Sequence, residues 1–84
     1  MEYKYDYTIN IRNLREDSDY TQQYVAEVLG TSQTMYARYE REASELPIRH
    51  LLKLCQLYNV SSDYILGLSD SKYITSPKKK KSNK

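Results

Sequence analysis

Between Thr21 and Glu40, two stretches of helical periodicity are parted by only Gly30, Thr31 and Ser32. So short a link cannot lay two helices side by side as in a bundle hairpin. It holds them at a steep angle, the helix-turn-helix geometry. The first stretch, Gln22 to Leu29, follows Thr21, a suitable N-cap, and carries Val25, Ala26 and Leu29 on one side. Gly30 stands where a left-handed residue would stop it. The second runs from Gln33 to about Arg41 behind the cap Ser32 and turns Tyr36 and Tyr39 inward.

In that geometry the first helix crosses a phosphate backbone, and the second presents its leading residues to the major groove of a duplex. Gln33, Thr34, Ala37, Arg38 and Arg41 point away from Tyr36 and Tyr39. Gln can pair with adenine N6 and N7, Arg with guanine O6 and N7, and Thr can offer its methyl to thymine. These residue types, at this spacing, suit base reading.

The flanking sequence is helical as well. Tyr7, Ile11 and Leu14 mark one face of a helix from about Thr8 to Asp17, ended by Asp17-Ser18-Asp19. Pro47 is placed as the first residue of a fourth helix, whose apolar side collects Ile48, Leu51, Leu52, Leu54, Cys55, Leu57 and Tyr58. Ser61 or Ser62 caps a short fifth helix containing Tyr64, Ile65 and Leu66, closed by Gly67. No segment alternates in the manner of a strand, so no sheet is expected. Leu57 and Leu66 exceed the needs of a small core and are candidates for a two-fold contact between copies.

Composition narrows the function further. Eighty-four residues leave room for one core. No apolar run approaches the roughly 20 residues of a membrane span, and no signal-peptide core follows Met1. A single cysteine, Cys55, excludes an intrachain disulfide and a cysteine-based zinc site, which suits a reducing cytoplasm. Cys55 reads as a small core residue. The one histidine, His50, reads as surface and leaves almost no material for metal or triad chemistry. No metal, cofactor or enzymatic activity is expected. The ten tyrosines, with no Phe or Trp, read as filling for the core and its margins.

Charge divides unevenly. Six of the thirteen basic residues are lysines at 72, 78, 79, 80, 81 and 84, giving residues 72–84 a net +6. Residues 1–71 hold seven basic and eleven acidic groups, a net −4. Residues 1–71 are thus expected to form the domain, with 72–84 as a flexible tail lacking enough apolar surface to order. The tail is expected to act as a solubilising segment or as a sequence-independent attraction for phosphate, ahead of membrane-surface contact, for which no amphipathic anchor adjoins it.

The run Leu14-Arg15-Glu16, Tyr20-Thr21-Gln22, Val25-Ala26, Leu29 to Ser32, Tyr36, Arg38-Tyr39-Glu40, Leu46-Pro47, Leu51 to Leu54, Tyr58 to Ser61 and Asp63 to Gly67 resembles the phage repressor/Cro-type (xenobiotic-response-element) helix-turn-helix family. The resemblance covers about residues 8–68 in register. It implies an all-α, five-helix domain with its helix-turn-helix unit at about 21–41. It also implies sequence-specific double-stranded DNA binding as a transcriptional regulator, expected to be a repressor and to act as a homodimer. By the same resemblance Gln22 matches a phosphate contact. Gln33, Thr34 and Arg38 match base-reaching positions, with Met35 beside them. Arg15 and Glu40 match a scaffold ion pair. Glu42 departs from the family, which usually has glycine in that turn; a side chain there must take positive φ, or the helix must continue into Ala43. The acidic body and loop keep a second reading open, a protein-interaction module acting as an antitoxin-like or anti-regulator partner.

Overall fold

The computed structural model describes residues 7–69. Five helices follow one another: α1 Tyr7–Asp17, α2 Gln22–Leu29, α3 Gln33–Glu40, α4 Ile48–Tyr58 and α5 Ser62–Leu66. No strand occurs among the described residues. The lysine-rich segment 72–84, expected as a tail, lies outside them.

Three helices start on a side-chain cap. The hydroxyl oxygens of Thr21, Ser32 and Ser61 accept from the backbone amides of Tyr24, Met35 and Tyr64 at 3.0, 3.1 and 3.0 Å. Each cap contributes about 1 kcal/mol by satisfying one of the helix's free N–H groups. Pro47 corrects one expectation. It precedes α4 rather than opening it, because its ψ of 151° is extended while its carbonyl accepts from His50 and Leu51 at 3.0 Å each.

Every helix is followed by a left-handed residue: Asp19, Gly30, Glu42, Asn59 and Gly67. After α2 the Thr31 amide donates to the Ala26 carbonyl at 2.9 Å, and that of Gly30 to Glu27 at 3.1 Å. After α3 the amides of Ala43 and Glu42 repeat the pattern onto Arg38 and Tyr39 at 2.8 and 3.3 Å. This is the hydrogen-bond pair that satisfies the last carbonyls of a helix and reverses the chain. Glu42 does it at φ 63°, so α3 stops instead of running on into Ala43.

The core gathers Ile11 and Leu14 of α1, Val25, Ala26 and Leu29 of α2, Tyr36 and Tyr39 of α3, Leu51 and Leu54 of α4, Val60, and Ile65 of α5. The Asn10 amide fastens α1 to the end of α5, donating to the carbonyls of Tyr64 and Ile65 at 3.2 and 3.1 Å. Cys55 is half-buried against this core, and burial pushes its thiol up.

α4 is narrower in its apolar contact than the sequence suggests. Leu51 and Leu54 are buried, but Ile48 is 73% exposed and Leu52 55%. His50, expected at the surface, is instead 3% exposed and lies beside the Tyr39 ring, centroids 5.8 Å apart. The reason is rotational: His50 shares the inward face with Leu51 and Leu54, one position and one turn along, while Ile48 and Leu52 form their own outward row. Leu57 and Leu66 pack partly buried against the core, so the outward apolar residues of this part of the chain are Ile48 and Leu52 on α4 and Leu68 beyond α5, not those two.

Candidate nucleic-acid interface

α3 has two unlike faces. Tyr36 and Tyr39 are buried, their rings meeting edge to face with centroids 6.3 Å apart at 85°. Glu40 joins them inside. It remains charged there because Arg15 reaches it in a fork, Nε donating to Oε2 at 2.8 Å and Nη2 to Oε1 at 3.1 Å. Arg15 also donates through Nη1 to the Tyr20 carbonyl at 3.1 Å, so one guanidinium binds α1, α3 and the turn before α2. The side chains are 13% and 3% exposed. Such a pair is far more sensitive to losing one partner than a surface bridge is.

The electrostatics follow from that burial. Desolvation alone would raise the Glu40 carboxyl, but the hydrogen bonds from Arg15, with help from Tyr36 and Gln22, outweigh it and hold the group below the ordinary carboxylate value. Arg15 is pushed up in turn, chiefly by its hydrogen bond to Glu40. Burial pushes the Tyr36 hydroxyl up as well. The Glu40 carboxylate nearby adds to that rise, and the neutral hydroxyl steadies the carboxylate through its O–H dipole without a hydrogen bond of full distance and angle.

Gln22, at the start of α2, donates from Nε2 to Glu40 Oε1 at 3.1 Å. One amide N–H is thereby committed to the scaffold, which leaves its second for a ligand. The sequence held no signal for this contact, because it depends on how deeply α3 sits against α1 and α2.

The opposite face of α3 is open. Gln33, Thr34, Met35, Arg38 and Arg41 are exposed and Ala37 is half-buried. Five of the six residues singled out, Arg41 being the C-cap just past the helix, are therefore open to solvent, while Ala37 is partly covered. The Arg38 side chain has one polar contact among the described residues, its Nε donating to the Ser44 hydroxyl at 3.1 Å. Ser44 went unnoticed in the sequence, since only the reversal at Glu42 brings it back to Arg38. Among the described residues no group of three His, Cys, Asp or Glu side chains is placed to hold a metal.

The helix-turn-helix family model matches residues 11–65. Two relatives from Bacillus subtilis (strain 168) are similar in sequence. The uncharacterized HTH-type transcriptional regulator YobD is 41% identical over 64 residues, which cover 76% of this chain and 57% of that protein. The HTH-type transcriptional regulator ImmR is 40% identical over 57 residues, 68% of this chain and 45% of the relative. The chain thus spans about half the length of these relatives.

In three dimensions it is similar to the P22 c2 repressor protein, solved in complex with a synthetic operator. The TM-score is 0.68 at 25% identity, over 75% of this chain and 96% of that one. The N-terminal DNA-binding domain of SinR from Bacillus subtilis shares the fold, with a TM-score of 0.63 at 24% identity over 71% and 88%. With the family model spanning the core from α1 to α5, the chain belongs to the helix-turn-helix family of phage-repressor (xenobiotic-response-element) type.

Proposed function

We propose that this chain binds duplex DNA in a sequence-dependent way and acts as a transcriptional repressor in the cytoplasm. The observation that carries this is the division of α3, whose inner face is locked by Tyr36, Tyr39 and the Arg15–Glu40 pair. Its outer face offers Gln33, Thr34, Arg38 and Arg41 unobstructed. Gln22 supplies a phosphate contact through its free amide N–H, and Met35 and Ala37 contribute apolar contact beside the polar groups. The similar P22 c2 repressor, seen with its synthetic operator, supports carrying this mode over. No described helix is long and apolar enough to cross a membrane.

Binding as a homodimer goes with this reading. Ile48 and Leu52, one turn apart on α4, form an exposed apolar row with no covering element among the described residues. A two-fold contact there would set two α3 helices roughly 34 Å apart, one turn of DNA. Leu52→Glu is expected to leave a monomer in sedimentation and to weaken binding to a two-half-site duplex.

Selection of bound duplexes from a random pool at two salt concentrations tests the function. The expected result is a two-half-site consensus whose affinity falls as salt rises. Failure to enrich any duplex at either salt, together with tight association with a different protein, would overturn it in favour of the protein-interaction module.

A further inference from the structure

We propose that Ser44 is a positioning residue for Arg38 and through it sets the base preference of α3, an inference that rests on the DNA reading of Arg38 given above. Arg38 lies in the last turn of α3 and is exposed. The Nε–Ser44 hydrogen bond of 3.1 Å is its one side-chain hydrogen bond or ion pair among the described residues. The backbone brings this about. Glu42 at φ 63° reverses the chain, the Ala43 amide locks onto the Arg38 carbonyl at 2.8 Å, and the next residue, Ser44, meets the side chain of that same arginine. Arg38 is therefore held at both its main chain and its guanidinium by one turn.

The chemistry of the contact suits recognition. A guanidinium reads guanine as a planar fork, so its orientation matters as much as its charge. With Nε engaged, Nη1 and Nη2 remain as an end-on fork for O6 and N7. The acceptor is neutral. A carboxylate at that place would orient the arginine but also cancel the charge that draws it to DNA. Glu42 and Glu45 lie on either side of Ser44 in the chain, and neither forms an ion pair with Arg38. The connection thus offers Arg38 an oxygen without a charge.

The test is a double-mutant cycle on the full chain. Its probe is the duplex selected by the wild-type protein from a random pool, together with the single base-pair variants of that duplex. Ser44→Ala is expected to lower affinity about three- to tenfold, as one rotamer-rich side chain must then be immobilised on binding. The loss should fall at the base pair that Arg38→Ala also relaxes, Ser44→Thr should restore both affinity and preference, and Ser44→Ala should add nothing in the Arg38→Ala background. Thermal unfolding of each variant separates these effects from loss of fold. Unchanged affinity and preference in Ser44→Ala, with Arg38→Ala still impaired, would overturn the role of Ser44 and leave the DNA reading standing. Unchanged binding in Arg38→Ala would overturn both.

Discussion

The inner and outer faces of α3 each carry a charged residue, used to opposite ends. Glu40 on the inner face and Arg38 on the outer are both charged and separated by one residue. Yet Glu40 accepts three side-chain hydrogen bonds, two from Arg15 and one from Gln22, while Arg38 makes one, to a neutral hydroxyl. The difference shows that burial decides what a charge does in this helix. Inside, a carboxylate survives only when its partners outweigh desolvation, and it then fixes the helix in place. Outside, a guanidinium with spare donors is left for something beyond the chain.

The contrast predicts a division between variants that harm the fold and variants that harm binding. Glu40→Ala strands the Arg15 guanidinium and should cost about 3–5 kcal/mol. That is an appreciable part of the roughly 5–15 kcal/mol available to a small domain. Denaturant titration would show it as a shifted midpoint, and the paired replacement Arg15→Met with Glu40→Leu should recover much of the loss. A cost below about 1 kcal/mol would mean the pair acts as a surface bridge. Arg38→Ala should do the reverse, costing about 1–3 kcal/mol of binding to a selected duplex and relaxing one base position. Its folding stability should stay within about 0.5 kcal/mol of wild type.

Much of this contrast is legible in the sequence. The caps Thr21 and Ser32, a serine cap at 61 or 62, and the inward pair Tyr36 and Tyr39 follow from spacing, because capping and helical periodicity are local effects. His50 and Ser44 do not. The rotation of α4 about its axis is set by neighbouring helices, and only that rotation separates a buried His50 from an exposed Ile48. The Ser44 contact depends on the backbone sign at Glu42. Gly30 and Glu42 reverse the chain with the same hydrogen-bond pattern, but only the first announces it by residue type. The phosphate role of Gln22 is implied by the family resemblance alone, whereas residue type and spacing also single out Gln33, Thr34 and Arg38 for base contact.

Three smaller effects extend the comparison around α3. Burial holds His50 below its ordinary value of 6.5, with the nearby cations Arg49 and Lys53 adding to it. The folded state therefore takes up this proton less readily than the unfolded chain. Stability should be complete above about pH 6.5 and decline as pH falls through it. His50→Phe, which keeps a ring beside Tyr39, should flatten that part of the profile. The separate loss from Glu40, whose pKa is depressed, should begin only as pH falls below its unfolded value near 4.5. The smallest effect is expected from Glu42→Gly. Relief of the left-handed side chain is offset by glycine's greater unfolded entropy and by loss of the 3.5 Å hydrogen bond from Thr8, so the gain should stay below about 1 kcal/mol.

Amide shift mapping by NMR, with the full chain titrated by a selected duplex, bears most directly on the division of α3. The account predicts that the largest changes fall on the amides of Gln22 and of residues 33–41, with Arg38 foremost among side chains. Changes confined to the outward row of α4, with α3 unmoved at saturation, would contradict it.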